Sequence, residues 1–172
     1  TMTTLSNGSS ESGDMRMQTN FGGNQTWRSR CYQPGSEQEV LEILQRHIQG
    51  NIRPVGSRHS WSDIAACADV SLDMTMFNQV QVYEADGEPL GRVGAGCRLQ
   101  ELLDSLHATS DRTLPTLGAV KRQTVSGAIA TGTHGSGRPS LSHFVVGIRV
   151  AAYDPITRKP MRYLGVWFDT KM

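Results

Sequence analysis

Hydrophobic residues recur along the chain at a helical spacing in two places. Ser36 and Glu39 form a capping box, and the apolar stripe behind it predicts a helix from about Glu37 to Gln49, with Gly50 just past its end. That stripe consists of Val40, Leu41, Ile43, Leu44 and Ile48. A second helix is predicted from about Arg98 to Ala108. Its apolar positions are Leu99, Leu102, Leu103 and Leu106.

Short apolar or β-branched runs bounded by turn residues predict strands between and after these helices. The predicted strands are 28–33, 52–55, 69–74, 80–83, 91–96 and 144–153, with a last partner near 161–167. The order of elements is strand, helix and strands, and then again strand and helix. We therefore predict an α+β fold of two small α+β subdomains, about 27–86 and 90–172.

The first 26 residues have a different composition. They are rich in Ser, Gly, Thr and Asn and carry few large apolar side chains. Such a segment buries too little surface to offset its ordering entropy, so residues 1–26 are predicted to be flexible, and their composition says nothing about function.

Charge and composition exclude several classes of partner. The 17 basic and 16 acidic residues among 172 nearly cancel, so no net field favours nucleic acid or an anionic membrane. There is no apolar run of about 18 residues and no apolar core of a signal peptide. We therefore expect a soluble protein, by default cytoplasmic.

Cysteine and histidine spacing gives no metal site. Cys31, Cys67 and Cys97 are odd in number and widely spaced, so they are interpreted as free thiols. His59, His134 and His143 show neither a helical pair nor a Cys/His cluster. No metal is expected.

Two stretches concentrate glycine, small hydroxyl residues and one histidine each. The first, 55–63, reads Val-Gly-Ser-Arg-His-Ser-Trp-Ser-Asp, and the second, 126–137, reads Ser-Gly-Ala-Ile-Ala-Thr-Gly-Thr-His-Gly-Ser-Gly. Glycine allows close backbone approach, so a diphosphate or a flat ring system can lie against exposed amides. We predict that the two loops face each other across one cofactor.

The common nucleotide motifs do not fit. Gly94-Ala95-Gly96 begins like a dinucleotide fingerprint, but Leu99 stands where a third glycine is needed. It is interpreted as a turn between strand and helix. No Gly-Lys-Ser or Gly-Lys-Thr occurs, so a phosphate-binding P-loop is absent from the sequence.

Both glycine-rich stretches resemble the FAD-binding (PCMH-type) domain of the vanillyl-alcohol oxidase and p-cresol methylhydroxylase superfamily. Within it they are most similar to the aldonolactone and alditol oxidase branch, and the resemblance spans about Trp27 to Tyr163. It implies FAD stretched between the two subdomains, with His59 joined covalently to the flavin 8α-methyl group. The residues that the resemblance implies for FAD are Val55, Gly56, Ser57, Arg58, His59, Ser60, Gly118, Ala119, Thr124, Val125, Ser126, Gly127, Thr131, Gly132, Thr133, His134, Gly135 and Ile148.

The resemblance also implies individual roles. Ile148 lies where family members contact the adenine end, and His134 is interpreted as a residue that orients its loop. Gly118 aligns with the position that gates oxygen access, which favours an oxidase. No cysteine occurs in 118–126, so a second covalent attachment is not expected.

The implied function is oxidation of an alcohol group of a sugar lactone or polyol, with the hydride passing to flavin N5 and the electrons to O2. The family's substrate domain, which supplies the catalytic base, has no counterpart in this sequence. We therefore expect a C-terminally truncated chain whose alcohol substrate is bound by the missing domain. The alternatives are a non-catalytic FAD-binding or interaction module, or an inactive truncated product.

Overall fold

The structure is a computed structural model that describes residues 13–164 and 170–171, with side chains described for 13–161. Its strands are β1 (Asp14–Thr19), β2 (Thr26–Tyr32), β3 (Ile52–Val55), β4 (Val70–Asp73), β5 (Val80–Ala85), β6 (Glu88–Val93), β7 (Arg149–Tyr153), β8 (Pro160–Leu164) and β9 (Thr170–Lys171). Its α-helices are α1 (Glu37–Arg46), α2 (Leu99–Thr109) and α3 (Val125–Ala130), and 3-10 turns span Asp63–Ala65 and Leu141–Phe144. The predicted α+β fold is confirmed.

The first sheet has the strand order β1-β2-β4-β3, in which β2, β4 and β3 are parallel and β1 is antiparallel to β2. Helix α1 packs on it through Ile43, which joins a buried cluster with Tyr32, Val70 and Leu72. The predicted cap is present, since Ser36 Oγ accepts a hydrogen bond from the Glu39 N–H at 3.2 Å. The helix ends at Arg46, three residues before the predicted end, where the chain turns toward β3.

The prediction of a flexible segment over residues 1–26 is wrong for its described part, 13–26. Residues 14–19 form β1, which pairs with β2 along its whole length. The Gln18 side chain is buried beneath this pair and donates hydrogen bonds to Ser29 Oγ at 2.8 Å and Ser71 Oγ at 3.1 Å. A buried polar network and backbone pairing hold β1 in place, so the low apolar content of the segment did not predict that it is ordered.

The second sheet joins β5, β6 and β9 in that order, with antiparallel pairs. Asp86 and Gly87 form the turn between β5 and β6 with φ of 53° and 78°, the conformation that two-residue hairpins favour. The sheets therefore divide the chain before β5. The boundary predicted between residues 86 and 90 places β5 with the wrong sheet, because the hairpin keeps β5 beside β6.

Helices α2 and α3 belong to this second unit and supply most of its core. The buried members of the core are Cys97, Leu99, Leu102, Leu106, Leu114, Val125, Ala128 and Leu141. Three of the four leucines predicted for α2 are in this cluster, and the fourth, Leu103, packs against it half-buried. The apolar spacing therefore identified the buried face of α2 correctly.

The hairpin β7–β8 packs on α1 and not in the second unit, where the predicted subdomain 90–172 placed it. Tyr153 donates its hydroxyl to the Leu44 carbonyl at 2.8 Å, and Arg149 forms an ion pair with Glu37. β7 also begins at Arg149 rather than near Phe144, because residues 141–144 form a 3-10 turn. Strand patterns do not reveal which distant element a hairpin will cover.

The unit built on the first sheet and the unit built on the second sheet meet around a cavity of about 290 Å³. Its walls come from α1, from the turn Gly94-Ala95 at the end of β6, and from residues 149–151 of β7. Gly94-Ala95-Gly96 is a turn, as predicted, and its glycines lie against the backbone of Phe77 and Met74. Among the described helices, none has the length and apolar composition needed to cross a membrane.

Candidate functional site

The first glycine-rich loop leaves the end of β3. Val55, the last residue of that strand, is 3% exposed, whereas residues 56–60 are half-buried. Arg58 adopts a left-handed conformation with φ of 56°, which non-glycine residues adopt rarely and which clusters at ligand-binding loops. The strand therefore fixes where the loop starts, and an unusual backbone conformation shapes its middle.

The turn between β1 and β2, residues 20–24, holds this loop from one side. We call it the N-terminal turn. The Phe21 N–H donates to the Arg58 carbonyl at 2.8 Å, and the Asn20 side chain donates to the Ser60 carbonyl at 2.9 Å. The Phe21 ring stacks on the His59 imidazole, with centroids 4.7 Å apart and planes inclined by 30°.

These contacts were missed by the sequence analysis, which treated residues 1–26 as flexible. The pairing joins residues about 38 positions apart, and no local periodicity encodes it. The signal that was available is the Asn-Phe-Gly-Gly-Asn sequence at 20–24, a turn flanked by residues able to form strands.

We predicted that the second glycine-rich stretch is a loop. Part of it is not, because 125–130 forms the short helix α3. The Thr124 side chain accepts a hydrogen bond from the Gly127 N–H at 3.3 Å and thereby caps the helix. Val125 and Ala128 are buried in the core of the second unit. Capping and burial therefore favour a helix despite Gly127. The loop proper follows at 131–137, where Gly132 and Gly137 have φ of 66° and 71°.

The first stretch is in direct contact with residues 122–124, the segment that leads into the second stretch. Ser57 donates its hydroxyl to the Arg122 carbonyl, two residues before the helix cap. A Cβ added to Gly56 would lie against Thr124 Oγ1 and 3.3 Å from Thr124 Cγ2. Only glycine lets the first loop approach the start of α3 this closely.

Residues 116–118 form a third wall beside the end of the second stretch. The Gly135 N–H donates to Thr116 Oγ1 at 3.0 Å. A Cβ added to Gly118 would lie 2.6 Å from Thr133 Cγ2, and one added to Gly135 would lie 2.6 Å from the Leu117 carbonyl oxygen. Gly118 is thus brought beside the second loop.

The remaining predicted residues take up different surroundings. His134 is exposed and places Nδ1 3.1 Å from the Gly135 carbonyl, while Ala119 is exposed. Ile148 is half-buried directly before β7, next to the residues that line the cavity between the units. Within the described residues there is no group of three or more His, Cys, Asp or Glu side chains that could hold a metal.

The residues present fit an extended anionic ligand such as FAD. Gly56, Gly118 and Gly135 are half-buried, and the absence of a side chain at each lets neighbouring backbone segments approach closely. None of the N–H groups of Ser57–Ser60 hydrogen-bonds to another described residue, so they are available as donors. Neither 55–62 nor 116–137 contains a carboxylate, whereas Arg58, Lys121 and Arg122 are basic.

The family described as "FAD binding domain" matches residues 29–154 of the chain. The chain belongs to this FAD-binding domain family. The match covers both glycine-rich stretches, so the resemblance inferred from them is confirmed. FAD is accordingly the cofactor of this FAD-binding domain.

Relatives with known names agree with this assignment. The FAD-binding domain is 50% identical over 140 residues to a long-chain alcohol oxidase of an uncultured marine euryarchaeote, covering 80% of this chain and 29% of that protein. It is 36% identical over 126 residues to the L-gulonolactone oxidase of Mus musculus, covering 70% and 27%. The chain therefore spans less than a third of the length of these relatives.

The fold is similar to that of a solved flavoenzyme. The crystal structure of cholesterol oxidase from B. sterolicum matches with a TM-score of 0.78 at 17% identity, covering 91% of this chain and 36% of that one. At this identity the likeness concerns the fold alone, and it agrees with the observed α+β architecture.

Proposed function

We propose that this chain binds FAD along the surface formed by Val55–Ser60, Gly118–Ala119 and Thr124–Gly135, as the FAD-binding half of an alcohol-oxidising flavoenzyme. The contact between the first glycine-rich stretch and the segment that leads into the second carries this proposal, since Ser57 bonds to Arg122 and Gly56 abuts Thr124. A ligand that touches both stretches is then held by elements that this contact already fixes to each other.

The donors that would hold the diphosphate and ribityl chain are backbone amides and hydroxyls of these walls. Available groups are the N–H groups of Ser57–Ser60 and the hydroxyl of Thr133. Ile148 is proposed for the adenine end, and His134 is proposed to orient its loop. When bound, the isoalloxazine supplies hydride acceptance at N5.

His59 is proposed as the covalent attachment point. It lies in the half-buried loop directly after β3 and carries an imidazole nitrogen able to bond to carbon. The new bond between that nitrogen and the 8α-methyl carbon replaces one N–H and one C–H bond. The two electrons and two protons released reduce one dioxygen molecule to hydrogen peroxide, so the reaction balances with O2 as the oxidant.

The substrate is proposed to be an alcohol group of a sugar lactone or a polyol, with O2 as the electron acceptor. The names of the relatives support this class, since they include an alcohol oxidase and lactone oxidases. Gly118 is proposed to leave an oxygen path open, because it carries no side chain next to Thr133. The base that takes the hydroxyl proton is proposed to lie outside these 172 residues.

The test uses the expressed chain with FAD. Acid precipitation and in-gel fluorescence measure covalent flavin, and His59→Ala should abolish both signals while leaving a protein of the same fold. Anaerobic addition of candidate polyols and lactones then measures flavin bleaching. Colourless protein after incubation with FAD would refute the binding proposal. Because the base is proposed to lie outside these residues, an unbleached holoprotein is the expected result, and bleaching by an alcohol would show instead that the chain supplies its own base.

A further inference from the structure

The N-terminal turn is interlocked with the His59 loop through aromatic rings as well as hydrogen bonds. Phe21 is 66% exposed and Trp61 is 65% exposed, yet each packs on the opposite segment. Phe21 stacks on His59, and a Cβ added to Gly22 would lie 2.6 Å from Trp61 Cζ3. Each segment therefore places an aromatic ring against the other, beside the surface where the cofactor is proposed to lie.

We propose that Phe21 is a positioning residue for covalent flavin attachment, acting by holding the plane of the His59 imidazole. This inference rests on the proposed attachment at His59. An imidazole on a loop can rotate about two side-chain torsions, and only some orientations direct a ring nitrogen toward a bound methyl group. A neighbouring ring that restricts these orientations raises the fraction that can react.

Phe21 is itself held firmly, which a positioning role requires. Its N–H is bonded to the Arg58 carbonyl. The preceding residue, Asn20, is 4% exposed and anchors the turn from both sides: its Nδ2 donates to Asn24 Oδ1 at 2.7 Å and to the Ser60 carbonyl at 2.9 Å. The ring that contacts His59 thus stands on a fixed backbone.

Arg58 links the same loop to the buried network under β1. Its guanidinium donates to Gln18 Oε1 at 3.1 Å, and Gln18 in turn donates to Ser29 and Ser71. The left-handed backbone at Arg58 directly precedes His59. Strand β1 therefore fixes the loop on one side of the imidazole, and the Phe21 ring covers one of its faces.

The experiment compares the rate of attachment with the affinity for FAD. Apoprotein is mixed with FAD in air, and acid-precipitable flavin is followed over time for wild type, Phe21→Ala, Phe21→Leu and Phe21→Tyr. The matched control is Met17→Ala, an apolar residue of the same hairpin that is 68% exposed. The affinity for FAD is measured by flavin fluorescence quenching in chains that carry each Phe21 substitution together with His59→Ala, so that no covalent bond forms.

The expected result is attachment about two- to tenfold slower for Phe21→Ala and Phe21→Leu, the factor that corresponds to the energy of an aromatic pair. Phe21→Tyr should restore the wild-type rate, and Met17→Ala should match it. The FAD dissociation constant in the His59→Ala background should change less than about twofold, since stacking orients one ring and does not create the binding surface. A purely structural defect would instead weaken affinity and leave Phe21→Tyr and Phe21→Leu alike.

Each outcome decides between the proposals. Equal attachment rates in wild type, Phe21→Ala and Phe21→Leu would overturn the positioning role and leave attachment at His59 intact. A wild-type chain that binds FAD without ever attaching it would overturn both. If Phe21→Ala does not fold, the comparison of Phe21→Leu with Phe21→Tyr decides, because both keep an apolar side chain and only one keeps the ring.

Discussion

Gly56→Ala tests the contact between the first glycine-rich stretch and Thr124, the cap of α3. The added methyl group falls inside van der Waals distance of Thr124 Oγ1 and 3.3 Å from Thr124 Cγ2. Thr124 is 2% exposed, and its hydroxyl caps α3 through the Gly127 N–H, so the side chain has no room to rotate without losing the cap. Over-packing of this kind costs about 1–3 kcal/mol, and losing the cap costs about 0.5–2 kcal/mol.

Urea unfolding of the apoprotein measures this cost, and FAD titration measures its effect on binding. We expect Gly56→Ala to lower the free energy of unfolding by about 1–3 kcal/mol and to weaken FAD binding, because the first loop is pushed away from α3. Gly35→Ala is the control, since a Cβ there meets nothing within 4 Å.

A double-mutant cycle with Thr124→Ala isolates the contact. Thr124→Ala removes the two atoms that the new methyl group meets most closely and leaves Cβ at 3.4 Å, an ordinary contact distance. Gly56→Ala should therefore cost less than about 0.5 kcal/mol in that background, giving a coupling energy of about 0.5–3 kcal/mol. Additive effects, or a Gly56→Ala variant as stable as Gly35→Ala, would refute the packing of Gly56 on Thr124.

Three further predictions concern the core and the buried polar groups. Leu106→Ala should lower the unfolding free energy by about 2–5 kcal/mol in urea, whereas His107→Ala, exposed on the same helix, should change it little. Gln18→Leu should cost about 1–3 kcal/mol in the same assay, because it removes the hydrogen bonds that Gln18 makes with Ser29, Ser71 and Arg58 and leaves the two buried hydroxyls with fewer partners. Burial raises the pKa of the Cys97 thiol from 9.0 to about 11. Folded protein should therefore resist alkylation by iodoacetamide at Cys97 below that pH. The free energy of unfolding should fall as the pH rises from 9 to 11, because the unfolded thiol releases its proton before the folded one does. The first prediction is contradicted if Leu106→Ala is as stable as His107→Ala, and the second if Gln18→Leu is as stable as wild type. Rapid alkylation of Cys97 in the folded chain at pH 8 would contradict the third.

Local patterns predicted individual elements well because local physics determines them. The Ser36 cap and the leucines of α2 specify where these helices form and which face is buried. Strand β3 was predicted with its observed bounds, and Gly56 directly follows its last residue. Arrangement was predicted less well. β5 joined the second sheet and β7–β8 packed on α1, since pairing and packing depend on partners far away in the sequence.

The candidate site shows the same division. The two glycine-rich stretches were identified from their composition, and the structure packs the first against residues 122–124, which lead into the second. The N-terminal turn was not predicted, because its role depends on Asn20 and Phe21 meeting residues 58–60 through backbone carbonyls and a ring face. Such contacts leave no period in the sequence, and the polar composition of the segment masks them.

The central claim is that His59 carries the flavin in a loop that packs against residues 122–124, directly before α3. Mass spectrometry of a tryptic digest tests it most directly, since the peptide from His59 to Arg92 contains His59 as its single histidine. After incubation of the apoprotein with FAD in air, flavin mass should appear on this segment in wild type and nowhere in His59→Ala. Flavin on another peptide, or on the same peptide in His59→Ala, would contradict the account.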